Sequence, residues 1–196
     1  MLSLYPSLRN APPSVDAESL DIAPRANIVR LGFTSMFSDI SSEMVASILP
    51  LFLTFQLRFS ALQFGLIDGV GQGATALVRL ASGVAADRWR RHKDVAALGY
   101  GASAACRIGL LAAGSSWLAV TGVQLLDRTG KGIRTAPRDA LISFSSTPGR
   151  LGHSFGVHRA FDTAGALLGP LVAFFVLQAA PRDFDAVIVI SFCFAV

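Results

Sequence analysis

Residues 83–93 read Gly-Val-Ala-Ala-Asp-Arg-Trp-Arg-Arg-His-Lys, and this stretch decides how the rest of the chain is arranged. A long apolar run precedes it and another follows it. Of its last six residues, five are basic or can become so, and such a cluster is too costly to place in the hydrocarbon of a bilayer. Short cytoplasmic loops of membrane proteins carry the excess of Lys and Arg. The stretch therefore predicts a cytoplasmic connection between two membrane spans.

The composition of the 196-residue chain indicates an all-α polytopic membrane protein. Hydrophobic residues make up 52% of the chain and charged residues only 15%, whereas soluble domains carry about 25% charged residues. The net charge of +4 does not indicate a nucleic-acid partner, because the basic residues lie between apolar runs and not on one polar surface. Cys106 and Cys193 lie within apolar runs and show no metal-ligand spacing, so we expect no metal site and no cofactor.

The apolar runs predict six membrane spans, of which the last is incomplete. Residues 1–26 are rich in proline, have no apolar core of signal-peptide length and are expected to form a cytoplasmic tail. The remaining residues, 27–196, hold spans at about 27–57, 61–86, 95–113, 115–135, 151–177 and 186–196. The last span is shorter than the twenty or so residues that cross a bilayer, so the chain looks cut inside a helix. The distribution of Lys and Arg predicts a multi-pass protein of the inner (plasma) membrane with a cytoplasmic N-terminus.

Polar and charged residues recur at steps of three and four within the first, second, fourth and fifth spans, which places them on one face of each of these helices. A charge at mid-span costs about 2.5–3.5 kcal/mol, so it needs a partner helix or a water-filled cavity. Asp39 and Glu43 in the first span are the obvious partners for basic residues of the fourth span. We predict a pathway for a solute and an ion, lined by Asp39, Glu43, Asp68, Arg128, Lys131, His158 and Asp162.

The same residues allow other interpretations. The ion pairs between helices can be purely structural, and a single buried histidine such as His158 commonly makes one interhelical hydrogen bond. As a functional alternative, the carboxylates and His158 are candidate proton carriers, since imidazole titrates near neutral pH. The basic face formed by Lys131, Arg134 and Arg138 favours an anionic solute unless Asp39 and Glu43 neutralise it.

Three motifs, in the expected order, resemble signatures of the major facilitator superfamily. The first is a Gly, three residues, Asp-Arg and a basic cluster, in which Arg90 here occupies a position that usually holds Gly. In the fourth span, Arg128 and Gly132 match an Arg-x-x-Gln-Gly pattern, with Lys131 in place of Gln. The residues that match the first motif are Gly83, Asp87, Arg88, Arg91 and Lys93. The third motif is in the fifth span, where Gly165, Gly169 and Pro170 resemble the family's Gly-x-x-x-Gly-Pro antiporter motif. Residues 38–44 and 130–140 further resemble a prokaryotic branch of these permeases.

The resemblance covers about residues 27–196 and corresponds to the N-terminal half of a family member. It implies a six-helix bundle, here with a truncated sixth helix, that transports a small solute by alternating access with proton or ion coupling, antiport included. The implied partners are the solute, the lipid bilayer and the missing C-terminal half, which Asp87 would contact when the cytoplasmic side closes. Without that contact, a local ion pair of Asp87 with Arg88, Arg91 or Lys93 is expected.

Three rival interpretations stay open at this point. Asp68, Gly83 and Asp87 are similar to part of the CDP-alcohol phosphotransferase pattern, whose carboxylates hold divalent metals. Arg91 stands where that pattern needs a further Asp, so we predict no catalytic residue and no enzyme. The other two rivals are a truncated product that does not transport and a half-size protein that dimerises.

Overall fold

The computed structural model describes residues 17–196 except 57, 59, 115 and 148, and it describes side chains from residue 26 onward except those of 56 and 61. Within these residues the chain forms six α-helices and no strand, which confirms the all-α prediction. A π-helical turn, Phe52–Gln56, extends the first helix. The helices are α1 (Ala17–Leu51), α2 (Ala61–Trp89), α3 (His92–Ala113), α4 (Trp117–Phe144), α5 (Leu151–Ala179) and α6 (Phe184–Ala195).

Two helices extend well beyond the predicted spans. Helix α1 begins at Ala17, ahead of the predicted start at residue 27, and residues 1–16 lie outside the described part of the chain. Helix α4 continues to Phe144, past the predicted end at residue 135, because the charged residues of its second half find partners on neighbouring helices. Three helical segments are long and apolar enough to cross a membrane by length and composition, namely Ala26–Phe55, His92–Ala113 and Leu151–Ala179.

The bundle is assembled from close helix pairs around a gap. Helix α1 packs along α5, α4 packs along both α3 and α2, and α6 covers α1 and α3. Helices α1 and α4 make few direct backbone contacts, so the space between them is filled by side chains. Apolar residues fill the end of the bundle formed by the second half of α1, by α3 and by α6, including Met44, Leu53, Leu110, Val187 and Ile188.

Glycines allow the close pairs to form. A Cβ on Gly99 of α3 would lie 2.7 Å from the backbone nitrogen of Arg134 on α4. A Cβ on Gly132 would lie 2.8 Å from the carbonyl oxygen of Thr75 on α2. Real Cβ atoms do not approach backbone atoms so closely, so a side chain at either position would push α4 away from its neighbours. The glycine-rich sequence thus fixes where α4 lies.

The stretch at 83–93 forms a much shorter loop than its polarity suggests. Helix α2 ends at Trp89 and α3 begins at His92, so only Arg90 and Arg91 connect them. Arg90 adopts a left-handed conformation, with φ 52° and ψ 33°, and its backbone N–H is directed at the carbonyl oxygens of Ala86 and Asp87. A left-handed residue after a helix reverses the chain tightly and satisfies terminal carbonyl groups. The two helices therefore meet at a sharp corner.

Candidate solute and ion pathway

A ladder of polar contacts, here called the α1–α4 seam, bridges the gap between these two antiparallel helices. Steps of four residues on α1, and of three and four residues on α4, bring Ser35, Asp39 and Glu43 of α1 opposite Arg138, Arg134 and Lys131 of α4. The contacts are Arg138 Nη1 to Ser35 Oγ at 2.9 Å, Arg134 Nη2 to Asp39 Oδ1 at 3.1 Å, and Lys131 Nζ to Glu43 Oε1 at 3.6 Å. The periodicity visible in the sequence thus becomes one continuous polar face inside the bundle.

Arg134 is the most enclosed charged residue of the seam. Its side chain is 2% exposed, donates to the hydroxyl of Ser38 and to Asp39, and lies 4.6 Å from the ring centre of Tyr100 on α3. A buried guanidinium with a carboxylate, a hydroxyl and an aromatic face is fully engaged. Arg134 was placed on the polar face by its spacing but was not among the predicted pathway residues, and its contacts make it a structural centre of the seam.

Glu43 and Lys131 form the loosest pair of the seam. Their charged groups lie 3.6 Å apart, and each side chain is 34% exposed. They border a narrow cleft between α1 and α4, which is also lined by Ser42, Gln124 and Arg128. The cleft has a volume of about 20 Å³, which is room for about one water molecule. Of the α1–α4 contacts, this pair is the one most open to a solute.

Arg107 and Asp127 form a second buried pair that the sequence did not assign to the pathway. Arg107 Nη2 lies 3.2 Å from Asp127 Oδ1, and the guanidinium also donates to the hydroxyls of Ser41 and Ser42. The side chain of Arg107 is 2% exposed. The sequence contained a signal for this pair, since Arg107 is the one charge of the third span and Asp127 lies on the antiparallel span that follows it. The pair ties α3, α4 and α1 together.

Asp68 and Arg128 join α2 to α4. Arg128 Nη2 donates to Asp68 Oδ1 at 2.9 Å, and both side chains are partly exposed. The hydroxyl of Thr75 donates to the backbone carbonyl of Arg128 at 3.0 Å, close to the contact at Gly132. The structure therefore brings five of the predicted pathway residues onto facing sides of α1, α2 and α4: Asp39, Glu43, Asp68, Arg128 and Lys131.

The other two predicted residues, His158 and Asp162, lie on α5 at the Ser35 end of the seam. Asp162 Oδ2 is 3.7 Å from Arg138 Nη1 and 3.2 Å from Arg159 Nη1, and Asp162 Oδ1 is 3.4 Å from His158 Nδ1. His158 is 1% exposed, and its Nε2 has no hydrogen-bond partner among the described residues. The alternative interpretation of His158 was a hydrogen bond to another helix. The described residues show no such bond, because Nδ1 lies against Asp162 of the same helix and Nε2 has no partner.

The antiporter-like motif packs directly behind the two acidic residues of α1. A Cβ on Gly165 would lie 2.6 Å from the carbonyl oxygen of Met36 and 3.1 Å from Asp39 Cβ. A Cβ on Gly169 would lie 2.7 Å from Glu43 Cβ. Pro170 follows within the same helix. These glycines let the backbone of α5 set the position of the seam carboxylates.

The first motif, at 83–93, forms a local contact that differs from the predicted ones. The partner of Asp87 is His92, whose Nε2 lies 2.8 Å from Asp87 Oδ1, and not Arg88, Arg91 or Lys93. The imidazole of His92 also packs edge-on against Phe144 at the end of α4, with ring centres 5.1 Å apart. Arg91 contacts Asp94 only at 3.9 Å. Gly83 faces Ala136 of α4, where an added Cβ would be 3.2 Å from the alanine methyl. The Asp87 side chain stays 74% exposed.

The described residues contain no group of three or more His, Cys, Asp or Glu side chains arranged to hold a metal ion. Their ionic contacts pair acidic side chains with Arg, Lys or His, as in Arg107–Asp127 and Arg134–Asp39. Cys106 is buried and Cys193 exposed, and both are free thiols.

A helical bundle with ion pairs in its interior and apolar side chains on its outer surface defines a polytopic membrane protein of the transporter class. The family model of the Major Facilitator Superfamily matches residues 31–196. The chain belongs to this family of membrane transporters, whose members handle small-molecule solutes.

Relatives with similar sequences carry little functional description. The chain is 40% identical over 165 residues to an uncharacterised MFS-type transporter of Methanocaldococcus jannaschii, covering 84% of this chain and 41% of the relative. It is 34% identical over 140 residues to uncharacterised proteins of Mycobacterium bovis and Mycobacterium tuberculosis, covering 71% of this chain and 34% of each relative. The chain thus spans less than half the length of these relatives.

Proposed function

We propose that this chain is the N-terminal half of a secondary transporter that moves a small solute across the inner membrane by alternating access. The partly exposed Glu43–Lys131 pair beside the cleft is the observation that carries the proposal. Major facilitator transporters consist of two six-helix halves with the substrate between them near mid-membrane. The coverage of about two fifths of the archaeal relative is consistent with one such half. The N-terminus of this half lies in the cytoplasm.

The ion pairs within the seam indicate which of its residues can contact the solute. Arg134 is engaged by Asp39, and Arg138 by Ser35, Asp139 and Asp162, so these two cations are not available as a free anion-binding face. Removing one partner of a buried ion pair costs about 3–5 kcal/mol, which disfavours exchange of the enclosed pairs during transport. Glu43 and Lys131 are partly exposed, so separating them does not carry that free-energy cost. The solute therefore contacts Glu43 and Lys131, with Arg128 and Asp68 at the edge of the same cleft.

The corner at 83–93 serves as the cytoplasmic gate of this half. Asp87 is exposed while His92 fixes the orientation of its carboxylate. A second half that presents donors at this corner would contact Asp87 when the cytoplasmic side closes. Opening then requires that contact to break while the His92 contact remains.

We infer a transporter and not an enzyme from the positions of Asp68 and Asp87, the two carboxylates that are similar to the CDP-alcohol phosphotransferase pattern. Asp68 and Asp87 are nineteen residues apart on the continuous helix α2, a separation of about 28 Å at 1.5 Å per residue. Asp68 pairs with Arg128 and Asp87 with His92. Two carboxylates at that distance cannot hold one metal cluster around a pyrophosphate.

Transport assays on the transporter that contains this half test the proposal. The purified protein is reconstituted into liposomes, and labelled amino acids, sugars, organic anions and organic cations are added in turn. We expect the liposomes to take up one class, and we expect Lys131→Gln and Glu43→Gln to reduce that uptake at least tenfold. The matched control is Asp185→Asn, which removes an exposed carboxylate at the start of α6. Uptake that is unchanged in both seam variants would refute the proposed cavity.

A further inference from the structure

The charged side chains around the cleft between α1 and α4 are balanced in number. They form ion pairs that each join one acidic to one basic side chain, namely Glu43–Lys131, Asp127–Arg107 and, at the edge, Asp68–Arg128. Glu43 comes from α1, whereas its partner and both members of the adjoining contacts come from other helices. A solute that enters the cleft therefore meets positive and negative charges side by side.

One of these ion pairs has to open before a solute can bind. The cleft has a volume of about 20 Å³, which is room for about one water molecule. Arg107 is 2% exposed and also donates to two serine hydroxyls, and Arg128 lies only 2.9 Å from Asp68. The charged groups of Glu43 and Lys131 are 3.6 Å apart, beyond the 2.7–2.9 Å or so of a charge-assisted hydrogen bond. A solute larger than water therefore enters by separating Glu43 from Lys131.

Separation leaves two opposite charges that each need a new partner. A charge at membrane depth is costly unless an opposite charge or water compensates it. An anionic solute would pair with Lys131 and lie next to the like charge of Glu43, and a cationic solute would do the reverse. Like charges placed side by side in an interface cost several kcal/mol, so either solute is disfavoured. A sugar offers hydroxyl groups to both partners but no charge, so its hydrogen bonds are weaker than the ion pair that it replaces.

We propose that the solute is a zwitterion, whose anionic group binds Lys131 Nζ and whose cationic group binds the carboxylate of Glu43. This inference rests on the proposed transport function and deepens it by naming the chemical class of the solute. Lys131 only donates hydrogen bonds and ionised Glu43 only accepts them, so each partner recognises one end of the solute. In α-amino acids and betaines one carbon atom separates the two charged groups, which matches the side-by-side charges of the cleft.

Uptake by liposomes that contain the complete transporter tests the class of solute. The labelled probes are the protein amino acids and glycine betaine as zwitterions, with succinate, choline and glucose as the anion, the cation and the sugar. We expect uptake of a zwitterion. Two unlabelled analogues of that zwitterion then compete for uptake, one without the anionic group and one without the cationic group. For leucine these analogues are 3-methylbutylamine and 4-methylpentanoate. We expect each to compete at least about tenfold more weakly than the zwitterion, because it leaves one charged partner unpaired.

Variants of the two partners show which end of the solute each one binds. We expect Lys131→Gln to remove the preference for the zwitterion over the analogue without the anionic group, and to keep the preference over the other analogue. Glu43→Gln should do the opposite. A purely structural role of the pair would lower uptake and leave both preferences unchanged. The matched control is Arg79→Gln, which removes an exposed cation that pairs with Asp139 between the same two helices as Arg128 and Asp68, and both preferences should persist in it.

The contrary outcomes separate this inference from the proposed function. Uptake of succinate, choline or glucose without uptake of any zwitterion overturns the inference and leaves the transport function standing. Uptake of a zwitterion with both preferences unchanged in Lys131→Gln and Glu43→Gln overturns the assignment of these residues to the charged ends of the solute. A transporter that takes up none of the probes refutes the transport function, and the inference falls with it.

Discussion

At the scale of single residues, the corner at 83–93 shows how one substitution in a motif is accommodated. The family pattern usually has Gly at the position of Arg90, and the backbone there is left-handed, with φ 52°. A side chain in this region brings Cβ close to the following carbonyl oxygen, whereas Gly has no such conflict. The turn demanded by the motif therefore forms despite Arg90, at a local cost in energy.

Replacing that residue should stabilise the protein. We expect Arg90→Gly to raise the free energy of unfolding by about 1 kcal/mol, the typical cost of a left-handed non-glycine residue. The measurement is thermal unfolding of the purified chain in detergent, followed by circular dichroism. Arg91→Gly is the control, since Arg91 has φ −118° and gains no relief from glycine. Equal effects of the two substitutions would show that the left-handed turn at Arg90 is not strained.

At the scale of helices, the seam depends on how closely α5 approaches α1. Gly165 and Gly169 bring the α5 backbone against Asp39 and Glu43, so the carboxylates are positioned from behind by a helix that carries no partner charge for either. Helix α4 is positioned in the same way by Gly99 on α3 and by its own Gly132 against α2. The positions of the helices that carry the seam charges thus depend on glycine contacts with other helices.

A methyl group at one of these contacts should separate the helices. We expect Gly169→Ala to lower the free energy of unfolding by about 1–3 kcal/mol, because the new Cβ meets Glu43 Cβ at 2.7 Å and the carbonyl oxygen of Ile40 at 2.8 Å. Unfolding in SDS, followed by circular dichroism, measures the change. Gly156→Ala on the same helix is the matched control, since an added Cβ there meets nothing within 4 Å and alanine favours helix. A Gly169→Ala variant as stable as Gly156→Ala would contradict the close packing.

At the scale of the whole molecule, the six helices leave a row of large apolar side chains of α2 exposed. The row repeats at helical spacing and faces away from α4, and it consists of Leu62, Leu66, Val70, Leu77, Leu80 and Val84. Lipid covers such a surface as readily as another helix does. The cleft at Glu43 and Lys131 is lined by residues of α1, α3 and α4. If the chain is one half of a transporter, as proposed, the other half supplies the facing wall.

A site with walls from one half alone cannot alternate between the two sides of the membrane. We expect the 196-residue chain reconstituted alone to transport nothing above the liposome background. We expect co-reconstitution with a separately expressed C-terminal half to restore uptake. Uptake of labelled solute under both conditions is the measurement, with the C-terminal half alone as the control. Equal uptake by the chain alone would support a half-size protein that works as a dimer.

The sequence by itself determined the all-α membrane class, the family and the polar faces of the first, second, fourth and fifth spans, because apolar length and three-to-four periodicity are local properties of the chain. It placed Asp39, Glu43 and Lys131 on facing helices for the same reason. Only the tertiary structure decided which charges pair, since pairing depends on the register between helices that are far apart in sequence. It brought Arg107 to Asp127, gave Arg134 a central place and paired Asp87 with His92. It also left a ring nitrogen of His158 without a hydrogen-bond partner among the described residues. Within 83–93, the charges predicted a cytoplasmic corner, and the left-handed backbone at Arg90 decided that two residues suffice to make it.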